Sequence, residues 1–229
     1  MATTWKPVVT VSATYGAAGS VIARRLAERL DLPFVDRAIS AQLSEDAAVA
    51  TAQPSQEHLT EGEEAATPGN RILAYFARAA SVGAMLAPDP LVDTDDILRE
   101  RSEAELAPLA EGGGGLVLGR AGAIVLAARP NAFHVRLDGP LERRVEWAAR
   151  TERLDLPRAR ERQQRTDRAR TLFVKRLYRS DPGDPRWYHL LVDTTAFGVD
   201  NSVELLVDAA RTFFAGTAAG ASAGGASEG

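Results

Sequence analysis

Residues 8–36 constrain the fold of this chain more than any other stretch. An apolar, β-branched run enters a turn of small residues, and the turn opens directly into an amphipathic helix. Backbone N–H groups and a helix N-terminus then converge on one point, an arrangement typical of phosphate-binding loops. The sequence therefore predicts a phosphate-binding turn, and its residues are Tyr15, Gly16, Ala17, Ala18, Gly19 and Ser20.

This turn lacks the lysine of the pattern G-x-x-x-x-G-K-[ST], because Gly19 or Ser20 stands at that position. The whole chain has two lysines, Lys6 and Lys175. A tight structural connection without a ligand is therefore an alternative interpretation of the turn.

A dinucleotide-binding fold is a second alternative for the same stretch. Asp36 follows Gly16 by 20 residues and ends the next apolar segment, where such a fold places the acid that binds ribose. The complete G-x-G-x-x-G pattern is missing, which argues against this alternative. Outside a dinucleotide-binding fold, three roles stay open for Asp36: it orients an acceptor substrate, it coordinates a ligand through water, or it only ends a strand.

The helix after the turn has two distinct faces. Apolar residues recur at helical spacing on one face, namely Ile22, Ala23, Leu26, Ala27 and Leu30. The opposite face is charged, so we expect Arg24 and Arg25 to be solvated rather than to replace the missing lysine.

The remaining pattern alternates strands with helices. Further strands are predicted over residues 32–36, 116–118, 132–138 and 190–193, and helices over residues 72–86, 95–109, 140–151, 157–178 and 201–214. This alternation indicates an α/β fold with a mostly parallel sheet. We expect one domain over residues 1–215, an exposed acidic connection over residues 45–64, and a disordered tail rich in Gly, Ala and Ser over residues 216–229.

Composition narrows the functional class. The formal net charge of -4 argues against general nucleic-acid binding, and the absence of cysteine excludes thiol chemistry. The three histidines are scattered, so no metal site is expected. Without an apolar leader or a run of about 18 apolar residues, we expect a cytoplasmic protein. The oligomeric state, including a homo-oligomer, stays open.

Two arginine-containing segments are candidates for binding phosphate. Arg120 follows a short apolar run after Gly119, where its guanidinium can bind phosphate through two hydrogen bonds. Residues 142–179 hold twelve arginines and one lysine against six acidic residues, a net charge of +7. Such a segment is able to close over a polyphosphate, although any single arginine can equally lie on a solvated helix face.

Taken in order, five segments resemble the cytidylate kinase-like proteins, a branch of the P-loop nucleoside-monophosphate kinases. They are residues 8–36, LVLGR at 116–120, NAFHVRLDGPLERR at 131–144, TDRAR at 166–170 and YHLLVD at 188–193. The resemblance implies a three-layer, P-loop kinase-like fold. Its features would be a mostly parallel five-stranded sheet, helices on both faces, and an arginine-rich helical lid over about residues 152–180.

The resemblance also implies a function: transfer of the γ-phosphoryl group of ATP, with Mg²⁺, to CMP or a related nucleotide. Residues 15–20 would bind the ATP phosphates, Arg120 and Asp36 would bind the acceptor nucleotide, and Arg120, Asp167 and Arg170 would be catalytic.

The chain departs from the family pattern at two places. Gly19 replaces the lysine. The aspartate that usually lies beside Gly-Arg is also missing, since the neighbours are Leu118 on one side and Ala121 on the other. A catalytically inactive nucleotide-binding or sensor protein on the same fold is therefore the alternative hypothesis.

Overall fold

The structure is a computed structural model that describes residues 6–35, 92–119 and 121–224. In this part of the chain, five parallel strands form one sheet in the order β2-β3-β1-β4-β5. The strands are β1 (Val8–Ala13), β2 (Phe34–Val35), β3 (Gly115–Leu118), β4 (Ala132–Asp138) and β5 (Leu190–Asp193).

Six helices accompany these strands in the described ranges. They are α1 (Gly19–Leu30), α2 (Val92–Pro108), α3 (Gly122–Val125), α4 (Leu141–Glu152), α5 (Leu156–Tyr178) and α6 (Thr194–Gly224). A π-helical turn, Leu109–Gly113, follows α2, and a short 3₁₀ turn, Pro185–Trp187, precedes β5.

Strand β1 is the centre of the sheet. It pairs with β3 on one side and β4 on the other, so that Val9 lies opposite both Leu116 and Phe133. A strand with parallel neighbours on both sides is covered on both faces, which explains why β1 reads as a nearly continuous apolar run rather than an alternating one.

Helices cover both faces of this sheet and make three layers. One face packs against α1 and α6 through side chains such as Val9, Ile22 and Leu206, all fully buried. The other face packs against α2 and α3, where Val8, Leu106 and Val117 form a second apolar cluster. The predicted α/β fold with a mostly parallel sheet and helices on both faces is therefore confirmed.

Helix α1 presents its arginines outward, as predicted. The Arg24 guanidinium lies 5.3 Å from the centroid of the Phe34 ring. Arg25 forms an ion pair with Asp200 on α6, with the two charged atoms 2.6 Å apart. These two arginines therefore join α1 to its neighbours and do not serve the turn before the helix.

Helices α4 and α5 form a separate pair beside the sheet. They pack through a small apolar cluster of Val145, Ala149 and Ala159. Asp155 caps α5 by accepting the Arg158 backbone N–H at 2.8 Å, and Pro157 lies in the first turn, where a missing N–H costs nothing. The arginine-rich helix predicted over residues 157–178 is confirmed with nearly the same bounds.

The end of the chain differs from the prediction. The sequence predicts a closing helix over residues 201–214 and disorder from residue 216 onward. In the structure α6 begins at Thr194, is interrupted by the left-handed backbone of Gly198, and extends to Gly224. Alanine is the best helix former, so the Ala-rich composition favours continuation of the helix. The acidic stretch at 45–64 and the helix predicted at 72–86 lie outside the described residues.

In the described ranges no helix combines the length and the apolar character that crossing a membrane requires.

Two stacked histidines join β4 to the start of β5. The rings of His134 and His189 lie 4.9 Å apart at an angle of 12°. His134 is 3% exposed, and its Nδ1 lies 2.8 Å from the Thr10 hydroxyl oxygen. His189 Nδ1 accepts the His134 backbone N–H at 3.0 Å. Burial and the neighbouring His189 lower the pKa of His134 to about 4, and burial also lowers the pKa of His189.

Mild acid should therefore destabilise the fold through His134. Because its pKa is lower in the folded than in the unfolded protein, its contribution is complete above the unfolded value of 6.5 and is lost as pH falls toward about 4. We expect a loss of about 2 kcal/mol of unfolding free energy between about pH 7 and about pH 5. Urea unfolding at both pH values measures it. In the variant His134→Gln, the loss of unfolding free energy between the two pH values should be smaller than in wild type by about 2 kcal/mol. An equal loss in both proteins would contradict the assignment of this pH dependence to His134.

Candidate phosphate-binding site

The loop between β1 and α1 reverses the chain over residues 14–18. Its first residue, Thr14, donates its backbone N–H to the Leu137 carbonyl at 3.1 Å, which fixes the loop to the end of β4. Gly16 and Ala18 have positive φ angles of 79° and 54°. In the described part of the chain no side chain caps α1. The N–H groups of its first turn and the positive end of its dipole are therefore available to an anion.

Gly16 lets this loop lie directly against α4. A Cβ atom at this position would stand 2.2 Å from the Arg144 carbonyl oxygen, far inside van der Waals contact. Both the positive φ angle and this approach require glycine. The loop and the start of α4 are consequently packed backbone to backbone.

Asp167, near the middle of α5, binds the loop backbone. Its Oδ1 accepts the Tyr15 backbone N–H at 2.7 Å. Its Oδ2 accepts from Arg144 Nη1 at 2.9 Å and from Gln163 Nε2 at 2.8 Å. A carboxylate of the lid thus already accepts a hydrogen bond from one of the loop's backbone N–H groups.

Arg144 connects the loop, the end of β4 and the lid. It is 7% exposed, and its Nη1 donates to the Tyr15 carbonyl at 2.7 Å as well as to Asp167. Its Nε donates to the Gly139 carbonyl at 2.9 Å. A guanidinium is suited to this position because its planar fork serves several acceptors at once.

Arg170 lies one turn after Asp167 on the same side of α5. Its Nη1 donates to the Ala13 carbonyl at the end of β1 at 2.8 Å and lies 3.8 Å from Asp167 Oδ1. The side chain is 23% exposed. One lid cation is therefore in contact with the strand end that leads into the loop.

The Tyr15 side chain reaches the last residue of α4. Its hydroxyl donates to Glu152 Oε2 at 2.7 Å, and Arg162 Nη1 lies 3.3 Å from the same oxygen. Burial and the Glu152 carboxylate raise the pKa of Tyr15 well above its usual range. The phenol therefore anchors the loop to the lid and stays protonated.

Asp138 is the last residue of β4, beside the loop, and its carboxylate accepts hydrogen bonds from several neighbouring groups. Its Oδ1 accepts from the Thr14 hydroxyl at 3.0 Å and from the Gly139 backbone N–H at 2.9 Å. Its Oδ2 lies 3.1 Å from Arg136 Nη2. These bonds fix the base of the loop from the side of β4.

The structure brings together part of the predicted site. The turn residues 15–20 follow the carboxyl end of β1, where Asp167 contacts the Tyr15 N–H and Arg170 contacts the Ala13 carbonyl. Gly119 follows β3, and its N–H donates to the Val11 carbonyl on the neighbouring β1 at 2.8 Å. Asp36 and Arg120 lie outside the described residues.

Sequence reasoning missed several residues that hold the loop, namely Arg136, Asp138, Arg144, Glu152 and Gln163. One signal was available for Arg144. It stands four residues before Ala148, on the buried stripe of α4, where an arginine needs buried acceptors.

Metal ligands were not expected from the sequence. In residues 6–35, 92–119 and 121–224, no group of three or more His, Asp or Glu side chains is arranged to hold a metal ion.

Comparison with known proteins decides the family. The model of the cytidylate kinase-like family matches residues 8–196, which include the loop, the lid and all five strands. The chain belongs to the cytidylate kinase-like family. The P-loop kinase-like fold expected from the resemblance is thereby confirmed.

Two solved structures match this chain over most of its length with low sequence identity. An uncharacterised protein from Eubacterium ventriosum is 16% identical, with a TM-score of 0.60 over 90% of this chain and 99% of that chain. A shikimate kinase from Acinetobacter baumannii in complex with shikimate is 16% identical, with a TM-score of 0.47 over 90% and 94% of the two chains. The first likeness shows the fold alone.

A curated relative shares a local segment with this chain. It is a Corynebacterium glutamicum protein named uronate isomerase, 29% identical over 138 residues. The match covers 58% of this chain and 26% of the relative, so the chain spans about a quarter of that protein's length.

Gly16→Ala should displace the loop. The new methyl group meets the backbone of α4 and forces a side chain into a positive φ, so we expect a loss of about 2 kcal/mol or more in unfolding free energy. Chemical denaturation measures this loss. Gly216→Ala is the matched control, because nothing lies within 4 Å of its Cβ position on exposed α6. Equal stability of the two variants would contradict the close packing at Gly16.

Arg144→Ala should destabilise the protein by about 3–5 kcal/mol, because it leaves Asp167 and two carbonyl groups without their buried donor. Arg144→Lys retains the charge but not the fork, so it should fall between wild type and Arg144→Ala. Arg150→Ala, exposed on the same helix, should change stability by less than about 0.5 kcal/mol. Unfolding of the three variants in urea tests this order, and a loss in Arg144→Ala as small as the control's would refute it.

Proposed function

We propose that this chain is a phosphotransferase resembling nucleoside-monophosphate kinases, moving the γ-phosphoryl group of ATP to CMP or a related nucleotide. The observation that carries this proposal is the contact of two arginines, one on α4 and one on the lid helix α5, with the loop and the strand that leads into it. Arg144 and Arg170 both bind loop or strand-end carbonyl groups, at 2.7 and 2.8 Å. Guanidinium groups therefore lie against the strand end and the loop that lead into the α1 N-terminus, and cationic groups together with helix N–H groups suit a triphosphate.

The proposed reaction is a direct transfer. An oxygen of the acceptor monophosphate bonds to the γ-phosphorus while the bond from that phosphorus to the β–γ bridging oxygen breaks. ADP leaves with the electron pair of the broken bond, and the acceptor becomes a diphosphate. The protein contributes position and positive charge rather than a covalent partner.

Each part of the site has a distinct task in this proposal. Residues 15–20 bind the donor phosphates through backbone N–H groups, Arg120 and Asp36 bind the acceptor nucleotide, and Arg170 neutralises charge that develops during transfer. Asp167 holds the Arg144 guanidinium in place. Mg²⁺ would arrive on the triphosphate and neutralise its oxygens, since Mg²⁺ commonly retains waters and substrate phosphates as ligands. We expect this reaction in the cytoplasm, where ATP is available.

The second candidate is a nucleotide-binding protein without turnover. Gly19 stands where the loop lysine of active kinases is found, and the Tyr15 N–H is already bound by Asp167. Losing one well-aimed donor commonly costs about 10²–10³ in rate. This loss favours a sensor that retains the pocket, unless the lid arginines compensate for the lysine.

One assay separates the two candidates. The purified protein is mixed with ATP, Mg²⁺ and a panel of nucleoside monophosphates, and diphosphate formation is followed. Hexuronates join the panel because of the relative named uronate isomerase. We expect turnover with a pyrimidine monophosphate, a decrease of about 10²–10³-fold in Arg170→Ala, and a similar decrease in Arg120→Ala. Arg150→Ala is the control and should retain full activity.

Other outcomes have equally definite meanings. Tight ATP binding with no product from any acceptor would favour the sensor. Product from a hexuronate and none from a nucleotide would move the acceptor to the sugar acids. Absence of any nucleotide affinity would reject both candidates.

A further inference from the structure

The Asp167 carboxylate lies where donors from three segments converge. These donors are the Tyr15 backbone N–H at 2.7 Å, Arg144 Nη1 at 2.9 Å and Gln163 Nε2 at 2.8 Å. Arg170 Nη1 is 3.8 Å from the same carboxylate. A backbone N–H, an amide and two guanidinium groups form a typical donor set for an oxyanion.

The contacts of the Asp167 carboxylate differ from the other ion pairs of the lid. Arg160 with Glu142, and Arg158 with Asp155, are exposed pairs that contribute little. The Asp167 carboxylate is 20% exposed, and its loop partner lies 152 residues away in the sequence. It is therefore an internal anion placed at the loop by the tertiary structure.

Gln163 shows that this arrangement leaves one group unsatisfied. It is 8% exposed and donates its amide to Asp167, while its Oε1 is buried without a hydrogen-bond partner in the part of the chain that the structure describes. A buried acceptor without a donor is unfavourable. The group that binds Asp167 from within α5 is therefore itself only partly satisfied.

We propose that Asp167 is a latch whose carboxylate occupies the anion position beside Tyr15 until a phosphate group displaces it. The incoming phosphate oxygen then takes over the Tyr15 N–H and gains the guanidinium groups of Arg144 and Arg170. Phosphate binding and rearrangement of the lid are thereby one event. This inference rests on the proposed function in that it assumes phosphate binds at the loop.

The test is the affinity for inorganic pyrophosphate, measured by calorimetry at constant ionic strength. Asp167→Asn removes the competing charge but retains an oxygen acceptor for the Tyr15 N–H. We expect it to bind pyrophosphate at least about tenfold more tightly than wild type, because a like charge in contact with the anion is lost. Glu161→Gln makes the same charge change at an exposed position of α5 and should alter affinity less than about twofold.

Unchanged or weaker binding by Asp167→Asn would overturn the latch, since a residue that helps to hold phosphate would show the opposite sign. A second measurement needs no variant. The ¹³C carboxyl resonance of Asp167 in the wild-type protein should move during a pyrophosphate titration, and a resonance that stays fixed at saturation would also overturn it.

The two proposals fail separately. Tighter pyrophosphate binding by Asp167→Asn, with no product from any acceptor, would retain the latch and reject the phosphotransferase. Product formation by wild type, with no gain in binding by Asp167→Asn, would retain the phosphotransferase and reject the latch.

Discussion

The guanidinium of Arg144 holds together three segments that are distant in the sequence. It donates to Tyr15 in the loop, to Gly139 after β4 and to Asp167 in α5. Since Gly16 packs against the backbone of the same residue, the position of the loop is set by α4 as much as by β1. The conformation of the loop and the placement of the lid therefore depend on one buried cation and its acceptors.

The charge of the lid is distributed in two ways. Outward arginines form ion pairs between α5 and α4: Arg160 pairs with Glu142, and Arg162 pairs with Glu152. Part of the excess positive charge is thereby neutralised. Inward arginines contact the loop and its strand instead. The net charge of +7 over residues 142–179 is thus divided between a solvated face and a face that serves the site.

The fold was largely predictable because its signals are local. The β-branched run of β1 and the apolar stripe of α1 each depend on residues a few positions apart, and both segments formed as expected. The contacts of the site are not local. Asp167 and Tyr15 are 152 residues apart, and Arg144 and Tyr15 are 129 apart, so no periodicity links them. Charged helix residues are expected in solvent, which is why Arg144 was overlooked.

The missing lysine changes how positive charge reaches the loop. A lysine at position 19 would lie on α1 itself and would accompany the loop in every position of the lid. Among the residues that the structure describes, the cations in contact with this loop and its strand belong to α4 and α5, and Asp167 binds Arg144 there. The positive charge beside the loop consequently depends on how the loop and these helices are placed relative to each other. Under the phosphotransferase proposal, the affinity of such a chain for a phosphate group depends on where the lid lies, whereas a loop lysine would make affinity and lid position largely independent.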